Sequence, residues 1–194
     1  MATVLFVKPD EKHKRLQIGV SDDDGTVSIL SIKEKTYISI GAPARDGYVG
    51  ETALDEMRRE DEIYRAFRKA LSLIADVDRS RYELKMKLLH AGYSADAIEV
   101  ALAACEKYDY LNEERQLYRL VEKEANRKLR GKYYLKRKLA SKGYSPSAID
   151  RVTRELIERG EIDFDANFEL LCEKKGVDAP EDVAALKYKY GYRI

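Results

Sequence analysis

The chain has 194 residues, of which 37% are charged and 44% are hydrophobic, and its formal net charge at pH 7 is only +1. This length suits one or two domains with a modest buried core and a large solvated surface. The chain has no apolar run of about 18 residues and no signal-peptide layout, so we expect neither a membrane span nor a secretion signal. Cys105 and Cys172 form no C-x-x-C motif, which argues against a disulfide framework or a cysteine zinc site and favours a reducing cytoplasm.

Residues 1–50 are expected to form an N-terminal β region. Apolar residues alternate with polar ones between residues 3 and 31, with the period of two that is typical of strands. The acidic run 22–24, followed by Gly25, predicts a hairpin turn rather than a metal site, because an Asp-Gly pair tolerates the positive φ of such turns. Residues 33–40 have a weaker strand pattern and leave strand and coil open.

A long connecting helix is predicted to follow over residues 51–77. Thr52 is its expected N-cap, and its apolar residues step by three and four, as one face of a helix does. The acidic run 60–62 is expected to lie on the exposed face of this helix.

The sequence repeats itself at a spacing of 51 residues, since residues 79–88 are echoed by residues 130–139. A period of this size indicates stacked supersecondary units. We therefore predict a mainly α fold of tandem three-helix, helix-turn-helix-like repeats in an elongated, curved arrangement, with a small N-terminal hairpin or sheet. The repeats are placed at 78–129 and 130–175, and a shortened C-terminal repeat is placed at 176–194.

Turn residues mark the ends of the predicted helices. Gly92 and Gly143 suit the left-handed position after a helix, and a serine two residues later suits the next N-cap. Cys105 aligns with Leu156 of the second copy, so we expect it to be a buried core thiol. The predicted N-caps are Ser94, Asn112, Ser145 and Asp163.

Positive charge is concentrated in the middle of the chain. Residues 115–142 contain 11 lysines and arginines against two acidic residues, with Tyr133 and Tyr134 interleaved. Such a stripe is typical of a surface that follows phosphates or meets an acidic protein groove. The candidate contact residues for a partner or DNA are Lys85, Lys87, Arg115, Arg119, Lys123, Arg127, Arg130, Lys132, Lys136, Arg137 and Lys138.

No catalytic, metal-binding or cofactor-binding constellation is predicted, so we expect no enzyme. His13 and His90 lack partners at metal-ligand spacing, and no glycine-rich nucleotide loop is present. A small nuclease would need clustered carboxylates, which the sequence does not supply. A helix-turn-helix transcription regulator is the alternative function, although second helices that begin at Ser94 and Ser145 with acidic or apolar residues are poorly suited to the major groove.

Short motifs lie in order at residues 61–66, 69–71, 78–84, 87–88, 92–93 and 110–114, at Gly131, Leu135 and Leu139, and at residues 142–144 and 189–193. This ordered set resembles the RecX family of regulatory proteins. The resemblance implies tandem three-helix repeats without enzymatic activity, in a monomer that binds no membrane. It implies a regulator of homologous recombination and DNA repair that binds RecA filaments on single-stranded DNA in their groove, contacts that DNA directly or through the filament, and inhibits ATP hydrolysis and strand exchange by RecA.

Overall fold

The expected mainly α fold with an N-terminal sheet is confirmed by a computed structural model, which describes residues 1–192. Arg193 and Ile194, the last residues of the predicted C-terminal repeat, lie outside the described residues. The chain forms two compact units. Unit 1 contains residues 1–73 and 87–108, and unit 2 contains residues 74–86 and everything from residue 109 onward.

Unit 1 begins with a four-stranded antiparallel sheet of order β3-β2-β1-β4. The predicted turn after Asp22 is confirmed, because its N–H donates to the carbonyl of Thr26 at 2.9 Å and Gly25 has a φ of 82°. One sheet face packs on Leu54 and Met57 of the following long helix. The strands are β1 (Ala2–Asp10), β2 (Arg15–Asp22), β3 (Val27–Ile32) and β4 (Tyr48–Val49).

The segment 33–40 contains a short helix, α1 (Glu34–Ser39), where strand or coil was expected. Tyr37 packs against the core of the sheet, and its hydroxyl donates to the carbonyl of Pro43 at 2.7 Å. This tertiary contact overrides the β propensity of the segment, because strand propensity largely reflects packing context.

The long helix α2 (Glu51–Asp76) matches the predicted span of residues 51–77 within one residue. The carbonyl of Gly50 accepts the N–H of Leu54 at 2.9 Å, so the first helical turn already includes Thr52. The prediction of Thr52 as the N-cap is therefore wrong.

The acidic run of α2 does not form an exposed face, which corrects the expectation for residues 60–62. Asp61 is only 3% exposed, and its carboxylate accepts the N–H of Ser31 at 2.9 Å. Glu60 accepts the N–H of Lys33 at 2.9 Å and pairs with Arg15 at 2.9 Å. These carboxylates satisfy amides on the outer edge of β3, which would otherwise be open to pairing with another chain.

The predicted turn and cap residues are confirmed in the helices that follow. Gly92 and Gly143 have φ values of 86° and 91°. The side chains of the four predicted N-caps each accept a backbone N–H. The helices are α3 (Arg81–His90), α4 (Ala95–Lys107), α5 (Glu113–Glu122), α6 (Lys132–Ser141), α7 (Pro146–Glu158), α8 (Phe164–Lys175) and α9 (Pro180–Tyr190).

Cys105 lies fully buried in α4, as predicted. Burial raises the pKa of its thiol to about 11. A thiol with this pKa is protonated at neutral pH, and it is therefore a packing group rather than a nucleophile.

Helices α5, α6 and α7 enclose the main core of unit 2. This core therefore draws residues from both sides of the repeat boundary expected at 129–130. A smaller cluster joins Leu129 to Leu171 of α8 and Leu186 of α9. The main core consists of Leu117, Val121, Ala125, Leu135, Leu139, Tyr144, Ile149, Val152, Leu156 and Ile162.

Candidate functional site

The exposed side of α6 carries positive charge and a tyrosine. Leu135 and Leu139 of this helix are buried in the core. Residues that step by four share one side of a helix, and here two such pairs are exposed. They are Lys132, Tyr133, Lys136 and Arg137, which we call the α6 face.

Ion pairs occupy some of the predicted contact residues. Arg115 pairs with Asp109 at 3.0 Å, and Arg119 pairs with Asp78 at 3.1 Å. Exposed pairs of this kind contribute little to stability, about 0–1 kcal/mol, yet they reduce the positive potential along α5. The sequence prediction rested on the number of cations between residues 115 and 142. It did not include the acidic partners Asp78 and Asp109, which lie outside that stretch.

On α6, Lys136 pairs with Asp150 at 2.8 Å. Within the described part of the chain, no ion pair holds Lys123, Arg127, Lys132 or Arg137. These four cations can therefore meet an anionic partner without breaking an internal pair. Two further candidates lie on α3, where Lys87 is exposed and Lys85 is half-buried.

A π-helical turn, Lys123–Arg127, follows directly on the end of α5. Glu124 lies on this turn, is 3% exposed, and accepts the ammonium groups of Lys128 and Lys138 at 2.8 Å each. Burial acts to raise the pKa of the Glu124 carboxyl, and the two lysines outweigh it, so this pKa lies below its ordinary value. Lys138, predicted as a partner contact, is thus committed to an internal pair.

Arg130 is half-buried, where a solvent-facing contact was expected. Its guanidinium lies between the rings of Tyr134 and Tyr190, at 4.4 and 4.5 Å from their centroids. A planar guanidinium stacks well on aromatic faces. Arg130 therefore links α6 to α9 inside unit 2.

The C-terminal end of α9 caps the N-terminal end of α6. The N–H of Gly131 donates to the carbonyl of Tyr190 at 2.8 Å, and the N–H of Tyr133 donates to the carbonyl of Gly191 at 3.0 Å. Both helix termini thereby satisfy groups that have no partner within their own helix. A Cβ atom at Gly131 would lie 2.3 Å from the Gly191 oxygen, so this close approach requires glycine.

This junction forms a groove of about 310 Å³ beside the α6 face. Tyr188 is 77% exposed and Tyr133 is 44% exposed, both large fractions for aromatic rings. The sequence analysis identified Tyr133 and Tyr134 but not the residues that α9 contributes to this groove. The alternation of lysine and tyrosine in the run Lys187-Tyr188-Lys189-Tyr190 is the sequence signal that could have indicated them. The lining residues are Tyr133, Tyr134, Arg137, Tyr188, Lys189 and Gly191, and we call this site the tyrosine groove.

Metal-binding groups, membrane spans and a DNA-reading helix were each sought among residues 1–192. No group of three or more His, Cys, Asp or Glu side chains there could hold a metal ion, and no helix there is long and apolar enough to cross a membrane. The N-terminus of α4, which a helix-turn-helix regulator would present to DNA, holds a carboxylate instead. Glu62 accepts the N–H and the hydroxyl of Ser94 at 2.7 and 2.8 Å.

Helices with serine, asparagine or aspartate caps, following a small N-terminal sheet, place this chain in the class of mainly α proteins built from helix-turn-helix-like units. The regulatory protein RecX of Haemophilus ducreyi is 30% identical over 112 residues, which cover 58% of this chain and 71% of that protein. The chain belongs to the RecX family of regulatory proteins.

A family model is similar to part of this chain, and two solved structures are similar to it in fold. The model of the first three-helix domain of RecX matches residues 66–105, which span the end of α2 with α3 and α4. A crystal structure of regulatory protein RecX is similar in fold, with a TM-score of 0.60, 17% identity, and coverage of 80% of this chain and 74% of that chain. RecX from Lactobacillus salivarius has a TM-score of 0.55, 18% identity, and coverage of 67% and 86%.

Proposed function

We propose that this protein binds RecA filaments on single-stranded DNA and inhibits ATP hydrolysis and strand exchange by RecA. Membership of the RecX family, whose proteins are regulators, is the observation that carries this proposal. The α6 face is consistent with this proposal, because among the described residues no ion pair holds its cations Lys132 and Arg137.

The α6 face is the proposed contact surface of unit 2. A nucleoprotein filament carries the phosphates of its DNA, and cations that neutralise phosphates release counterions and so favour binding. Lys132 and Arg137 supply such cations at no cost to an internal ion pair. Lys123 and Arg127 form a second pair of cations, on the π-helical turn. Lys85 and Lys87 stay predictions from the sequence.

The decisive experiment is ATP turnover by RecA on single-stranded DNA, measured with increasing amounts of this protein. We expect turnover to fall as the protein approaches the stoichiometry of its sites on the filament. The same titration without DNA controls for any ATP consumption by the protein itself. Undiminished turnover at stoichiometric ratios contradicts the proposed function.

A further inference from the structure

The tyrosine groove contains more exposed aromatic surface than a phosphate site requires. Tyr188 and Tyr133 are 77% and 44% exposed, and neither ring stacks on a cation or another ring within residues 1–192. By contrast, Tyr134 and Tyr190 hold Arg130 between their rings. The groove thus presents two aromatic side chains whose rings have no stacking partner in the fold.

Tyr192, which lies near the same end of the chain, is half-buried. Tyr192 packs on Phe168 at a centroid distance of 4.9 Å, and burial raises the pKa of its hydroxyl to about 12. Core packing therefore accounts for Tyr192. It gives no such account of Tyr188, which projects from the same helical region into solvent.

The charge of the groove selects an anionic ligand. Arg137 and Lys189 line it, and among the described residues that line it none is acidic. Lys132 and Lys136 lie on the same exposed side of α6. Aromatic rings that receive bases, set beside cations that follow the backbone, are the combination by which proteins bind single strands without reading their sequence.

We propose that the tyrosine groove binds an unpaired nucleobase of single-stranded DNA, stacked on Tyr188 and Tyr133, with flanking phosphates on Arg137 and Lys189. The inference rests on the proposed function and deepens it, because it names the base, and not only the backbone, as a ligand. The volume of about 310 Å³ lies at the lower end of the range for small-ligand clefts, about 300–1,000 Å³. A duplex offers no such ligand, since its base faces are already stacked. An acidic peptide would use the cations and leave the exposed rings without a role.

The test uses the absence of tryptophan from the chain. Tyr188→Trp introduces one indole at a position that is largely exposed, so the substitution leaves the fold unchanged. Its fluorescence is titrated, without RecA, with an oligothymidine and with an abasic oligonucleotide of the same length and charge. We expect quenching by the oligothymidine and little by the abasic strand.

Affinities from fluorescence anisotropy of labelled oligonucleotides extend the test to non-fluorescent variants. We expect Tyr188→Phe to retain the wild-type preference for the oligothymidine and Tyr188→Leu to bind it roughly fivefold more weakly or worse, the lower end of what stacking of one base contributes. Binding of the abasic strand should be the same in all three proteins. Equal affinity of the wild type for the two strands, or an unchanged affinity in Tyr188→Leu, overturns the inference, as does equal quenching of Tyr188→Trp by polyglutamate.

These results separate the inference from the proposed function. If the wild type inhibits RecA while the two oligonucleotides bind equally, base stacking is wrong and the filament proposal stands. If the oligothymidine is preferred and RecA turnover is unaffected, the groove inference stands and the filament proposal is wrong.

Discussion

The side chain of Tyr82 lies directly against the backbone of Gly143, so that a Cβ atom at Gly143 would stand 2.3 Å from the Cβ of Tyr82. Gly92 occupies the equivalent position in the first copy of the echo, with a φ of 86° against 91° for Gly143. No atom lies within 4 Å of a Cβ built at Gly92. The two glycines therefore share one backbone conformation and differ in their packing.

This pair separates the cost of conformation from the cost of packing. Alanine in the left-handed region costs roughly 1–2 kcal/mol at either position. We expect Gly143→Ala to lower the free energy of unfolding by about 1–3 kcal/mol more than Gly92→Ala does, because Tyr82 must move. Urea unfolding followed by circular dichroism measures both variants. Equal losses would show that the contact with Tyr82 does not restrict residue 143.

Gly131→Ala tests the docking of α9 on α6. Gly131 has a φ of −77°, which alanine adopts without strain, so the obstacle is the peptide group that joins Gly191 to Tyr192. We expect a cost of about 1–3 kcal/mol and faster amide hydrogen exchange throughout α9. Helix α7, whose buried residues belong to the main core of unit 2 and not to the cluster that contains Leu186 of α9, is the internal control and should keep its protection. Unchanged exchange in α9 would mean that it does not depend on this junction.

Glu124→Gln tests the buried carboxylate that holds Lys128 and Lys138. Loss of its charge-assisted hydrogen bonds should lower the free energy of unfolding by about 1–3 kcal/mol at pH 7. Because the pKa of Glu124 is depressed in the folded protein, its contribution is complete above the ordinary value of 4.5 and is lost as the pH falls through the folded pKa.

The difference between wild type and Glu124→Gln should therefore be constant from pH 7 to about pH 5.5 and shrink below pH 4.5. Denaturant unfolding at several pH values gives this difference directly. A difference that grows as the pH falls would contradict the assigned role of Glu124, since it would require the folded pKa to be raised.

The echo at 51 residues sufficed to predict the helical repeats, their glycine ends and their serine caps, because these depend on local chemistry. The echo gives the number of residues per repeat, but it does not show at which residue each repeat begins. Helix α5 precedes the second pair of echoed helices, α6 and α7, and it packs with both of them in one core. Gly191-Tyr192 follows Gly143-Tyr144 at a spacing of 48 residues, and the shortened C-terminal repeat at 176–194 stays a prediction.

The features of the structure that could not be predicted from the sequence depend on contacts between residues that are far apart along the chain. From the sequence, Arg130 would be assigned to the surface as a charged residue. Only the position of Tyr190 shows that its guanidinium is enclosed between two rings. Asp61 reads as a solvated helix residue until the edge of β3 is placed beside it. The π-helical turn at Lys123–Arg127 likewise has no local signal that we recognise, since its residues also suit an α-helix.

The α6 face as the contact surface is the central claim, and charge reversal of its unpaired cations tests it most directly. A reversal that included Lys136 and Lys138 would also remove the partners of Asp150 and Glu124, so the variant is limited to Lys132→Glu with Arg137→Glu. The control is Lys174→Glu with Lys175→Glu, two exposed lysines of α8 that give the same change in net charge.

The measurement is the concentration of each protein that halves ATP turnover by RecA on single-stranded DNA, with the helical circular dichroism of each variant compared with the wild type. We expect the α6 variant to require roughly tenfold more protein, which corresponds to about 1.4 kcal/mol of binding free energy, and the α8 variant to match the wild type. Full inhibition by the folded α6 variant at the wild-type concentration would contradict the account.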